Sequence, residues 1–304
     1  MPDILLGTML TLTVAIGWLG FLRLTRTVRR TSLTAAALWG LWFQTTLTIA
    51  AITTIAKPLA FPVIRPGVVD QLWYLTAVSA LCPLIAILGA RRGRIVDWSL
   101  FVLLPLIAVL EWPAIVQWRR CWNGQRLELE LPSLIAFALV LIMGAGNFVG
   151  TRFTRSAIVW IVTWSLVVWT FSGSFGQNRA PREPVYSYLT ISLLVFWMAT
   201  AKAVSRRSEA TGWDRVWQDY RNLFGTAWSF RLMTRINEVA ERDQWPWTLT
   251  IDGFRLVSLG MEYPGEPHSD PRVDQTMRWL LKQFVDPEWI DERLASKNLG
   301  EVPE

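Results

Sequence analysis

Histidine is almost absent from this chain of 304 residues: His268 stands alone, beside two cysteines and a charged fraction of only 18%. One histidine excludes a bis-histidine haem, a histidine-rich zinc site and most imidazole acid–base chemistry. Cys82 and Cys121 are too few for a disulfide framework or a thiolate metal cage. Soluble domains carry about 25% charged residues, so the scarcity of charge argues against an ordinary soluble protein. The sequence also contains no HExxH, CxxC, Walker A or GxSxG pattern. No catalytic, metal or cofactor motif is therefore assigned.

Apolar residues fill the space instead, at 52% of the chain with a mean hydropathy of +0.30. They are unevenly spread. Residues 1–207 hold 19 basic and 7 acidic side chains, whereas residues 208–304 hold 11 basic and 17 acidic. The basic excess lies between apolar runs and the acidic excess follows them, with the composition changing around Arg206–Glu209. A pI near 9.7 thus points to no nucleic-acid partner, because the non-apolar part is acidic.

A membrane-crossing helix needs about 17–25 largely apolar residues. Seven segments meet that length, at about 4–22, 33–56, 72–90, 98–117, 133–150, 156–175 and 186–204. Pro58, Pro62 and Pro66 make the stretch after the second span an extended loop; the alternative is a second span running on to Leu59. The first segment has Asp3 before it and Arg23, Arg26, Arg29 and Arg30 after it, the reverse of a cleavable signal. Alternating from an outside N-terminus, the inner segments carry twelve basic residues and the outer ones seven. This bias predicts a plasma-membrane protein with its N-terminus outside and residues 208–304 in the cytoplasm. Trp73, Trp98, Trp112, Trp118 and Trp122 fall near span ends, where indole rings anchor helices at the headgroups.

Residues 208–304 read as a small α+β domain. Trp213, Val216, Trp217, Tyr220 and Phe224 recur at helical spacing, as do Trp228, Leu232 and Ile236 beyond Gly225. This is one helix with a weak point at Gly225, or two helices, ended by Trp245-Pro246. Strict alternation around Asp252-Gly253 predicts a two-residue β-hairpin pairing Ile251 with Phe254 and Leu249 with Leu256. A third strand is expected near Leu259–Tyr263, and Asp270-Pro271 and Asp286-Pro287 open two helices. The domain's acidity has two readings: docking on the arginine-rich membrane face or on a basic partner, or plain solubility.

Few residues inside the spans carry chemistry. Glu111 lies between Pro105 and Pro113 in the fourth span, and a carboxylate at depth is costly and often functional. It either pairs with Lys57 to line a polar cleft that includes Thr53 and Thr54, or sits at the headgroups beside Trp112. The threonines of the first two spans line a solute path or bond to helix backbones. Gly146, Asn147 and Gly150 read as a helix-packing stretch, with Asn147 bonding between helices. Cys121 is the candidate reactive thiol in an exterior loop, and His268 an exposed turn residue.

The expectation is an all-α seven-span membrane bundle (1–207) with a cytoplasmic α+β domain (208–304). Its favoured function is a non-enzymatic scaffold or accessory subunit recruiting a protein partner to the lipid bilayer. A sensor or small-solute transporter with a polar site among the first, second and fourth spans is the alternative, and an integral membrane enzyme the third class.

Overall fold

Prolines and charges punctuate the apolar runs, and the helices start and stop at them. The computed structural model describes residues 2–56, 64–93, 95–172, 183–205, 210–257, 267 and 270–295. Among these, five helices are long and apolar enough to cross a membrane. They are α1 (Pro2–Thr27), α2 (Thr34–Ala56), α3 (Pro66–Leu88), α4 and α8 (Glu183–Ser205). Helix α4 joins Ile95–Trp98, a π-helical turn at Ser99–Leu103 and Leu104–Val116. A short helix α5 (Trp118–Trp122) follows it. Two further apolar helices, α6 (Leu131–Gly146) and α7 (Thr154–Trp169), have 16 residues each. At about 1.5 Å per residue they rise about 24 Å, short of the roughly 30 Å hydrocarbon core.

Boundaries moved for local reasons. Helix α3 begins at Pro66 rather than at 72, because proline occupies its first turn and pre-sets the helical φ. Pro66 is therefore helical, while the expected loop at 57–63 lies outside the described residues. Helices α6 and α7 stop at Gly146 and Trp169 instead of 150 and 175. Asn147 and the residues after it turn away to bind another part of the chain.

Helix α3 is the axis of the bundle. Its Trp73, Tyr74, Ala77 and Ala80 are completely buried, and its small residues let α2 lie close along it. Trp73 is thus a core residue and not an interface anchor: it stacks on Tyr186 at 5.1 Å and donates to Thr54 Oγ1 at 3.0 Å. Trp112, Trp118 and Trp122 remain exposed. Leu38, Phe101, Leu139 and Met198 are also exposed, as side chains facing lipid must be.

A second core gathers the C-terminal residues. Helix α9 (Gly212–Arg242) breaks at Gly225, whose φ of 79° and ψ of −178° make it two helices meeting at a kink. Strands β1 (Trp247–Leu249) and β2 (Phe254–Leu256) pair antiparallel, and α10 (Pro271–Leu281) and α11 (Pro287–Leu294) complete the unit. The hairpin register differs from expectation: Leu249 faces Phe254 and Trp247 faces Leu256. Residues 250–253 form the loop, because the Ile251 carbonyl accepts from Trp217 Nε1 (3.2 Å) and Arg221, and Asp214 accepts from the Phe254 N–H (2.8 Å). Helix α9 therefore overrides the two-residue turn; the shift by two leaves Trp247 and Leu249 buried, puts Ile251 in the loop and leaves Leu256 exposed. The expected third strand and His268 lie outside the described residues, as does the boundary at 206–209.

Candidate functional site

Of the expected polar cleft, Thr53, Thr54 and Glu111 are among the described residues. Thr53 is half-buried and returns its hydroxyl to the Ile49 carbonyl (2.8 Å), and Thr54 is buried, donating to the Ala50 carbonyl (2.8 Å) and accepting from Trp73. Glu111 sits on α4, which packs against α3 and α6. Its electrostatic neighbours are Tyr74 and Cys82 of α3, and its buried Oε1 has no hydrogen-bond partner among the described residues. Lys57 lies outside those residues. The threonine hydroxyls of α1 and α2 bond to carbonyls of their own helices, and Thr48 additionally accepts from Trp18 of α1 (3.1 Å).

The glycine stretch works differently from a packing motif. A side chain at Gly146 would meet nothing within 4 Å, and Gly150 occupies a turn at φ +86°. Gly144 is the glycine that a neighbour approaches, since a β-carbon there would lie 3.0 Å from Leu84 Cβ. Cys121 is buried in α5 against Gly67, so it is no exposed thiol.

Asn147 is the residue with a tertiary role. Its Nδ2 donates to the Phe224 carbonyl (3.1 Å) and its Oδ1 accepts from the Ala227 N–H (2.8 Å). Its own carbonyl accepts from the Thr226 N–H (2.8 Å) and hydroxyl (3.0 Å). These groups are the ones left open where α9 breaks. A side chain at Gly225 would lie 2.2 Å from Asn147 Nδ2, and its backbone angles belong to a region that is essentially glycine-only. Asn147 thus caps a kink lying 77 residues ahead in the chain.

This clasp is one point of a broader junction. The loops after α1, α3 and α6 all meet the C-terminal unit. Ser32 N–H donates to the Phe284 carbonyl (2.7 Å), Arg92 N–H to Gln283 (2.9 Å) and Asp286 N–H to Arg30 (2.9 Å). Trp228 Nε1 donates to the Ile87 carbonyl (3.0 Å), and Leu33 and Ala90 lie in the second core. Arg30 pairs with Glu292 and Arg92 with Asp286. Asp219 lies between Arg152, at 3.9 Å, and Arg293, at 2.8 Å, all three largely buried. The Arg293 guanidinium also stacks 3.7 Å over Trp289. Burial pushes the Arg152 and Arg293 pKa values down, and Asp219 opposes the shift in both. Several acidic groups of the C-terminal unit are therefore engaged by arginines of the same chain.

The opposite face holds a feature that the sequence reading missed. Asp70, fully buried in the second turn of α3, accepts from Arg126 (2.9 Å), the Leu127 N–H (3.3 Å) and the Tyr186 hydroxyl (3.4 Å). It ties the segment after α5 to α3 and α8. The signal was present: one acidic residue in an apolar run that opens with Pro66.

No protein-family model, curated protein or solved structure matches the chain. Several apolar helices mark it as consistent with an integral membrane protein.

Proposed function

We propose that this chain is a non-enzymatic platform of seven spans, with α6 and α7 crossing a locally thin part of the bilayer. Its C-terminal unit is held rigidly on the cytoplasmic face of the plasma membrane, to present its far side to a protein partner. The observation that carries this reading is the junction: three separate loops bind the unit through backbone hydrogen bonds, which is more than a tether needs. Those loops hold Arg30, Arg91, Arg92 and Arg152, and the bias of positive residues to the cytoplasm supports the inner location. The acidic groups turned toward the bundle are engaged there. Recruitment through the unit therefore belongs to surface left free of the junction, and Trp279 and Val257 are exposed apolar residues of the unit.

Two measurements test this. A cysteine introduced by Glu288→Cys, on the exposed side of α11, is expected to react with an impermeant maleimide only after cells are permeabilised. Labelling of intact cells would reverse the orientation. Affinity purification in mild detergent is expected to recover a stoichiometric partner that Trp279→Ala loses while the melting temperature holds. A solitary, monodisperse protein would overturn the platform.

A further inference from the structure

The Arg152 guanidinium is largely buried, yet it hydrogen-bonds to nothing among the described residues. Arg152 lies in the turn between α6 and α7, held there because its N–H donates to Asn222 Oδ1 of α9 (3.0 Å). Its guanidinium carbon rests 5.1 Å over the Phe153 ring, and its side chain is 20% exposed. Nε is buried without a partner. The one carboxylate within ion-pair range is Asp219, whose Oδ1 lies 3.9 Å from Nη1 and so out of hydrogen-bond reach. A guanidinium carries five N–H donors, and here none of them has an acceptor among the described residues.

Asp219 is already committed to a second arginine. Its Oδ2 accepts from Arg293 Nε at 2.8 Å, while Arg293 Nη1 donates to the Trp289 carbonyl at 3.0 Å. The stacking of Arg293 on Trp289 fixes that geometry. Arg215 stands one turn before Asp219 on the same face of α9, near enough to Arg293 for like charge to push the Arg293 pKa down. Glu292 also attracts Arg293, but Arg30 engages it. Arginines from the α6–α7 turn, from α9 and from α11 therefore gather at one carboxylate. Positive charge withdrawn from water in this way calls for a counter-anion.

We infer that Arg152, with Arg293 and Arg215 beside it, binds the phosphate of an anionic phospholipid where the C-terminal unit meets the bundle. The turn joins two apolar helices directly, so with α6 and α7 in the bilayer Arg152 lies at the level of the headgroups. A guanidinium fork matches phosphate oxygens in geometry and charge, and the unused donors of Arg152 supply the hydrogen bonds. A zwitterionic headgroup would bring its own cation against the same arginines, which favours a lipid of net negative charge. Because Arg152 belongs to the bundle and Arg293 to the C-terminal unit, the lipid would tie the two together. The inference rests on the seven-span reading, which puts α6 and α7 in the bilayer, and not on a protein partner.

The test places the full chain in phosphatidylcholine nanodiscs containing phosphatidylglycerol and counts the retained lipids by native mass spectrometry. Relative to nanodisc content, phosphatidylglycerol is expected to be retained about tenfold over phosphatidylcholine, the ratio that one hydrogen bond to a charged group implies. Arg152→Gln should bring that ratio close to one, and Arg293→Gln is the second variant should the first misfold. Arg155→Gln, at an exposed arginine in the first turn of α7, should leave the ratio unchanged. The proposal falls if the two lipids are retained equally, or if Arg155→Gln removes as much preference as Arg152→Gln, which would mean diffuse surface attraction. Release of the lipid by inorganic phosphate at matched ionic strength would assign the site to a free anion instead. The span reading has its own control: a bimane at Leu139→Cys, on the exposed side of α6, is expected to be quenched by doxyl-labelled phosphatidylcholine. An unquenched bimane would remove α6 from the bilayer and the headgroup with it, whereas quenching without lipid preference would overturn the lipid site alone.

Discussion

At the scale of single residues, the most informative positions are those whose chemistry has one solution. Gly225 is such a position, because a β-carbon there meets both a glycine-only backbone and the Asn147 amide. Gly225→Ala is expected to cost about 3 kcal/mol or more, and Asn147→Ala about 2 kcal/mol for two orphaned backbone groups. The pair should be non-additive when thermal or denaturant unfolding of the four-member cycle is measured, since the substitutions share a contact. Asp219 offers a second case. Asp219→Ala leaves Arg152 and Arg293 close together and largely buried, for an expected loss of about 3 kcal/mol. A melting temperature unchanged within error would show that solvent already screens the triad. Asp219 did not stand out in the sequence, and Gly225 stood out only as a weak point of its helix. Asn147 drew notice as a polar residue near glycines, but its partners are 77 to 80 residues away, beyond the reach of any local pattern. Asp70 was hidden for a different reason: a proline-opened helix begins before its hydropathy does.

Local chemistry was most legible at the scale of elements. The starts of α10 and α11 at Asp-Pro pairs follow from proline's fixed φ and, in α10, from a carboxylate that caps the helix. Asp270 accepts from the Arg272 N–H at 2.9 Å, and its hydrogen bond with the Arg272 side chain holds the carboxyl below the usual range. A depressed carboxyl pKa stabilises the fold above the unfolded value of about 3.9 and ceases to do so as pH falls through the folded one. Asp270→Ala should thus cost about 1 kcal/mol near neutral pH. The difference between variant and parent should fade below about pH 4, as followed by melting temperature. The hairpin shows where such reading stops. Alternation gave the strands and the buried side of β1, but β2 leaves Leu256 exposed and the loop length came from Asp214, Trp217 and Arg221 on another element. Turn propensity is a local quantity, and here a tertiary contact outweighs it.

The whole molecule is defined by how firmly its two cores are joined. Composition alone separated an arginine-rich apolar half from an acidic one, yet it gave no means to choose between docking and solubility. The exposed pairs Arg30–Glu292 and Arg92–Asp286 contribute little, below about 1 kcal/mol each. Backbone hydrogen bonds and the shared apolar contacts of Leu33, Ala90 and Trp228 hold the interface instead. Hydrogen exchange should therefore find the amides of Ser32, Arg92 and Asp286 protected like helix interiors, and still protected in about 1 M salt, where the screening length is about 3 Å. Exchange at loop rates, or release by salt, would mean that charge alone holds the unit. One further consequence concerns synthesis. Arg30 must wait for Glu292, 262 residues later, before its contact can form. Until then Ser32 and Arg92 lack their backbone partners Phe284 and Gln283, and any product cut short before Gln283 leaves them so, whereas Asn147 finds its partners earlier, at residues 224–227. The junction therefore closes in order along the chain: the loop after α6 is covered once residues 224–227 are made, and the loops after α1 and α3 only once residues 283–292 are.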